Sequence, residues 1–105
     1  MNTLNEIYMT LKSEGLCSTQ TEFSEKWLGR SAHYMSQIGG EARKASLTSL
    51  QLLAAETKLI SQGISASDGM ERYYRIRSAA TAAATLFRGE YEVRNVPRRF
   101  WITAV

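Results

Sequence analysis

Residues 20–38, QTEFSEKWLGRSAHYMSQI, constrain the fold most, because two short apolar helical patterns flank a single glycine there. Phe23 and Trp27 lie four residues apart, so they fall on one face of a helix. Three apolar residues repeat a helical spacing beyond the glycine: Tyr34, Met35 and Ile38. A glycine just past a helix end can adopt the left-handed conformation that stops the helix. The stretch therefore predicts two short helices joined by a tight turn at Gly29.

The second of these helices, predicted over about residues 31–38, has an outward face that carries no charge. Ser31 is placed to cap its free amides with a hydroxyl. The outward residues are small or hydrogen-bonding: Ala32, His33, Ser36 and Gln37. A surface helix that only needs solubility more often carries lysine and glutamate. We therefore interpret the pair as a helix-turn-helix whose second helix enters the major groove of double-stranded DNA.

The stretch resembles the Cro/repressor (XRE-type) helix-turn-helix family. The resemblance covers roughly residues 3–62 and includes a basic loop at residues 43–47 that leads into a fourth helix. The matching positions are Gln20, Phe23, Ser24, Gly29, Ser31, Tyr34, Met35, Ser36 and Ile38. Two positions depart from the pattern: one extra residue lies between Ser24 and Gly29, and Gly39 stands where the family often has glutamate. We therefore expect an altered turn and an altered end of the third helix.

The resemblance implies a sequence-specific transcriptional regulator, a repressor that acts as a homodimer on a palindrome. The residues expected to contact bases are Ala32, His33, Ser36 and Gln37. A glutamine amide can pair with N6 and N7 of adenine, and an alanine can contact a thymine methyl. The residues expected to hold phosphates are Gln20, Arg30, Ser31, Arg43 and Lys44. The basic residues among them would equally suit a solvated loop.

Helical signals continue on both sides of this stretch and predict an all-α fold. Three hydroxyl residues open helices as N-caps: Thr3, Thr19 and Ser46. Four helices in residues 1–63 form the predicted DNA-binding domain, and the fourth of them carries apolar residues assigned to the core: Leu47, Leu50, Leu53, Ala54 and Leu59. Residues 64–105 are predicted to form a long C-terminal helix and a short tail of strand-like composition.

The C-terminal helix carries a seam of apolar residues at alternating spacings of three and four: Tyr73, Ile76, Ala80, Ala83 and Phe87. This seam suits packing on the rest of the chain or on a second copy, and we favour the second copy because DNA half-sites are usually read by dimers. The tail adds large apolar residues that we also assign to dimerisation: Phe100, Trp101 and Ile102.

Composition narrows the class of protein. One cysteine and one histidine disfavour a disulfide and a zinc site, and the chain has no catalytic motif, so we expect no enzyme activity and no cofactor. No apolar run reaches the roughly 20 residues that span a bilayer, and residues 1–10 lack the features of a signal peptide. We therefore expect a cytoplasmic protein of bacterial type without membrane contact.

The net charge of +3 is unevenly distributed. Residues 1–29 hold two lysines against four glutamates, whereas residues 64–105 hold seven arginines against four acidic residues. Positive charge begins at the predicted recognition helix and suits an anionic partner that approaches one face. The modest total and the uncharged recognition face also fit an alternative: a protein-interaction adaptor or small inhibitor that keeps the helix-turn-helix as a scaffold.

Overall fold

The computed structural model describes the backbone of residues 3–104 and the side chains of residues 3–95. In this range the protein is all-α, as predicted, with 77% of the chain helical and no strand. The principal helices are α1 (Leu4–Ser13), α2 (Gln20–Glu22), α3 (Tyr34–Ile38), α4 (Leu47–Gly63) and α5 (Met70–Ala104). Two short 3₁₀ turns lie between them, Ala42–Lys44 before α4 and Ala66–Asp68 before α5.

The predicted N-caps of α1, α2 and α4 are confirmed. In each, a hydroxyl oxygen accepts a hydrogen bond of 3.1 Å from the backbone N–H three residues later. The pairs are Thr3 with Glu6, Thr19 with Glu22, and Ser46 with Ser49. Each bond satisfies one of the amides that the first turn of a helix leaves without a partner. Local sequence therefore determines where these three helices begin.

The extra residue before Gly29 is accommodated by a π-helical turn. Helix α2 continues directly into a π-helix at Phe23–Trp27, in which the N–H of Leu28 donates to the carbonyl of Phe23 at 3.0 Å. A π turn closes over five residues instead of four, so it takes up one inserted residue without ending the helix. Gly29 then adopts a φ of 65°, and the turn falls where the sequence predicts it.

Helix α3 is shorter than predicted. It begins at Tyr34, so Ala32 and His33 lie in the turn before the helix and not within it. The predicted cap from the Ser31 hydroxyl is wrong, because α3 has no side-chain cap and Ser31 contributes its backbone carbonyl to the Tyr34 N–H at 3.0 Å. At the other end, Gly39 has a φ of 60° and its N–H donates to the Ser36 carbonyl. The departure from the family pattern at Gly39 is therefore a helix stop.

One hydrophobic core joins α1, the π-helix, α3, α4 and α5. Its fully buried large side chains include Leu4, Ile7, Leu11, Phe23, Leu28, Met35, Leu50 and Leu53. The Phe23 and Tyr8 rings are in contact, with centroids 5.3 Å apart. The assignment of Leu59 to the core is wrong, since 63% of this residue is exposed. Leu59 follows the helical spacing but falls on the outer side of α4.

Helix α5 packs on the rest of the chain, chiefly on α4 and also on α1. Ile76 and Ala83 of the predicted dimer seam are 1% exposed, so they belong to the core of this chain and are unavailable to a second copy. The helix also continues to Ala104, so the tail is helical and does not form the strand that its composition would allow. The side chains of Phe100, Trp101 and Ile102 lie outside the described residues.

A buried carboxylate, that of Glu14, connects the end of α1 to the start of α5. Glu14, just after α1, has a side chain that is only 6% exposed and forms an ion pair with Arg75. Arg72 donates to the backbone carbonyl of Glu14 at 3.1 Å and lies 3.5 Å from its carboxylate. The hydrogen bond to Glu14 raises the pKa of Arg75, because it stabilises the charged guanidinium. The start of α5 is therefore held against the end of α1.

Candidate nucleic-acid interface

Two hydrogen bonds between distant residues fix α3 to its neighbours. The buried hydroxyl of Ser24, in the π-helix, accepts from the backbone N–H of Met35 at 3.0 Å. The phenol oxygen of Tyr34 accepts from the backbone N–H of Ser46 at 2.8 Å. An unpaired buried N–H is costly, so the first bond holds the start of α3 against the π-helix, and the second connects α3 to the start of α4.

The outward side of α3 is open to solvent. His33, Ser36 and Gln37 are exposed, and Ala32 is half-buried. The N–H of Gln37 donates to the carbonyl of His33 at 2.9 Å, which places these two residues one helical turn apart on the same side. The structure therefore brings the predicted base-reading residues together on one uncharged surface, although Ala32 contributes only part of its side chain.

The predicted phosphate-contacting residues are all exposed: Gln20, Arg30, Ser31, Arg43 and Lys44. The Arg30 guanidinium lies 5.0 Å from the centre of the Tyr34 ring, a cation–π contact that orients it beside α3. Lys44 forms an ion pair of 2.9 Å with Glu41. Both partners of this pair are exposed, and such pairs contribute little to stability, so Lys44 can exchange Glu41 for a phosphate.

Arg94 is a residue that the sequence did not single out. Its guanidinium nitrogen Nη2 donates to the backbone carbonyls of Ala42, Arg43 and Ala45 at 3.3, 3.1 and 2.7 Å. It also forms an ion pair with Glu90 at 3.2 Å. These bonds cap the basic 3₁₀ turn from the distal part of α5. Arg94 and these carbonyls are about fifty positions apart, and no local pattern predicts such a contact, so the sequence analysis missed it.

A second concave feature, which we call the α4–α5 groove, lies between those two helices. It has a volume of about 490 Å³ and is lined by Gln51, Ala54, Ala55, Lys58, Ser61, Gln62, Arg77, Ala80, Thr81, Ala84 and Phe87. Two residues of the predicted dimer seam, Ala80 and Phe87, line this groove and are half-buried. The predicted seam is thus divided between the core and an open groove.

The thiol of Cys17 is buried and donates to the carbonyl of Thr19 at 3.4 Å. Burial raises the pKa of this thiol, and the nearby charge of Glu22 raises it further. A buried, protonated thiol is a poor nucleophile, so Cys17 is a core residue. Within residues 3–104, no group of three potential metal ligands is present, and none of the helices is both long and apolar enough to cross a membrane.

The chain belongs to the protein family described as Family of unknown function (DUF6626), which it matches over residues 4–88. The match covers α1 to α4 and the proximal part of α5, so it includes both the candidate interface and the α4–α5 groove. No curated protein and no solved structure is significantly similar to the chain.

Proposed function

We propose that this protein is a sequence-specific DNA-binding regulator of transcription, a repressor that places the turn 31–33 and α3 in the major groove. The observation that carries the proposal is the exposed, uncharged surface that His33, in the turn before α3, forms with Ser36 and Gln37 of α3. The buried Ser24 bond to the Met35 N–H orients that helix without using any outward side chain. Base edges are read by hydrogen-bonding side chains held at a defined position and angle.

The position of the readers within the helix supports the same role. In helix-turn-helix proteins, residues at the N-terminal part of the recognition helix contact base edges. His33 directly precedes α3, at the end that would enter the groove first, and Gln37 lies one turn later on the same side. The imidazole and the amide both offer donors and acceptors, which suits contact with several base edges.

Charges around this surface suit the DNA backbone. Arg30 is held beside α3 by the Tyr34 ring, and Arg43 lies in the turn that Arg94 caps. In the proposed complex these cations contact phosphates and set the position, while the uncharged side chains read the bases. Because Ile76 and Ala83 are buried within this chain, the proposed dimer would use another surface. We assign it to the distal part of α5, where Tyr91 and Val93 are exposed.

Replacing His33 or Gln37, the two exposed side chains proposed to contact bases, tests the proposal. The bound sequence is first selected from random duplexes by the purified protein, and affinity is then measured for that site and for an unrelated duplex. We expect His33→Ala or Gln37→Ala to cost about 1–3 kcal/mol on the selected site and little on the unrelated one. Asn5→Ala, an exposed polar residue on α1, is the matched control and should change neither affinity. Unchanged binding to the selected site in both variants would refute the assignment of α3.

The phosphate contacts can be tested separately, because they make the binding affinity depend on salt concentration. Lys44→Ala should weaken binding to all sequences and reduce the dependence of log affinity on log salt by about one unit, because one counterion fewer is released. Lys12→Ala, which removes an exposed lysine of α1, is the control and should leave this dependence unchanged. The measurement is a binding titration at several salt concentrations, and equal slopes for the two variants would remove Lys44 from the interface.

A second candidate function is a protein-interaction module, which is favoured by the α4–α5 groove and by the uncharged face of α3. Such a module would keep the same scaffold without reading bases. The salt titration with random duplex distinguishes the candidates. Binding to DNA that weakens steeply with salt supports the regulator, whereas no binding near physiological salt supports the module.

A further inference from the structure

The α4–α5 groove is chemically different at its two ends. Residues 64–69 join α4 to α5, so the two helices run antiparallel. Lys58 and Arg77 lie on facing helices, each about two helical turns from this connection. The lining farther from the connection is mostly apolar, with four alanines and Phe87, and also includes Gln51 and Thr81. The groove therefore has two cations toward one end and a mostly apolar lining beyond them.

The two cations have no acidic partner among the described residues. Arg77 donates to the phenol oxygen of Tyr73 at 3.0 Å and lies over its ring, and no described ion pair includes Arg77 or Lys58. By contrast, the nearby Arg72 and Arg75 are both paired with Glu14. Two cations left unpaired at one end of an apolar groove are complementary to a single anionic group.

We propose that the α4–α5 groove is a binding site for an anionic amphiphile, a molecule with one carboxylate and an unbranched apolar chain. The carboxylate lies between Lys58 and Arg77, and the chain lies along Ala80, Ala84 and Phe87. The groove volume of about 490 Å³ falls in the range of small-molecule sites, which are mostly apolar with a few polar groups that orient the ligand. This inference is independent of the proposed DNA binding.

Charge also argues against this chain's own C-terminal segment as the occupant. Residues 94, 98 and 99 are arginines, so the distal part of α5 from a second copy would bring positive charge to a groove that already carries Lys58 and Arg77. Like charges brought together in a partly buried site oppose binding. An anionic amphiphile is complementary to both the apolar lining of the groove and the positive charge of Lys58 and Arg77.

The test is a titration of the full chain with decanoate, kept below its critical micelle concentration and followed by NMR of ¹³C-labelled alanine methyl groups. We expect saturable shifts at Ala54, Ala80 and Ala84, with Ala32, which does not line the groove, as an unchanged reference. Decyltrimethylammonium, with the same chain and the opposite charge, should bind at least about tenfold more weakly, and acetate should cause no shift at the same concentrations.

Substitutions of Lys58 and Arg77 separate the contribution of charge to decanoate binding from that of apolar contact. The double variant Lys58→Gln/Arg77→Gln should bind decanoate at least about tenfold more weakly. Arg88→Gln removes an exposed arginine of α5 outside the groove and should bind as the natural chain does. Thermal unfolding establishes that each variant is folded, as expected for changes to exposed side chains.

Three results would overturn the proposal. The first is the absence of saturable shifts at the groove alanines, and the second is equal affinity for decanoate and decyltrimethylammonium. The third is a change in the same methyl signals when protein concentration alone is raised, because this would assign the groove to a second copy of the chain.

Discussion

Replacing Phe23 with alanine is expected to lower the free energy of unfolding by about 3–5 kcal/mol. Phe23 is completely buried at the start of the π-helix, and its ring contacts that of Tyr8 in α1. The substitution removes a large apolar surface and leaves a cavity between α1 and the turn that carries α3. Since domains of this size have about 5–15 kcal/mol of stability in total, the variant should be close to unfolding at room temperature.

Urea denaturation of matched variants measures this effect. Met9→Ala, on α1 but 52% exposed, should change stability by less than about 0.5 kcal/mol. Phe23→Leu keeps part of the apolar volume and should fall between Met9→Ala and Phe23→Ala, which gives a folded variant for comparison. A loss below about 1 kcal/mol for Phe23→Ala would mean that the core is not built around this residue.

The parts of the fold that the sequence predicts are those held by neighbouring residues. The caps at Thr3, Thr19 and Ser46 each depend on a partner three positions away, and they were predicted at the right residues. The Gly29 turn has the same origin, because its positive φ is a local property. The outward residues of α3 were identified for a related reason. Once Tyr34 and Met35 are assigned inward, helical geometry decides which side chains face solvent.

The errors come from contacts that are distant in sequence or from choices that local pattern leaves open. The seam of α5 has the same spacing whether its partner is α4 or a second copy, and α4 is tethered by a short connection that favours the contact within the chain. The spacing of Leu59 likewise fits a core helix, but α4 is covered on only part of its circumference. Arg94 and its carbonyl partners meet only in the folded chain.

The early part of α3 illustrates a third limit. The sequence places Ser31 as a helix cap because serine followed by a helical pattern usually has that role. In the structure, three residues after Arg30 are needed to complete the turn, and the chain enters α3 only at Tyr34. The π-helix takes up the extra residue before Gly29, but the chain still needs the residues after Gly29 to turn into α3. Leu28 and Met35, on either side of this turn, are both buried in the core.

Deleting Lys26 is expected to preserve the fold and to change the free energy of unfolding by less than about 1.5 kcal/mol, whereas deleting Gln51 should abolish folding. Both residues are exposed and lie inside helices. Lys26 is within the π turn, where Leu28 bonds to Phe23 five residues before it. Removing one residue converts this bond to the four-residue spacing of an α-helix and keeps both ends in place.

Gln51 offers no such adjustment, because α4 is regular there. Its deletion rotates every later residue of the helix by about 100°, which takes Leu53 and Thr57 out of the core. The expected loss exceeds about 4 kcal/mol, a large part of the total stability. Circular dichroism and urea denaturation of the two deletion variants measure the contrast. Equal losses would show that the π turn is required by the packing of the natural chain and does not simply absorb an inserted residue.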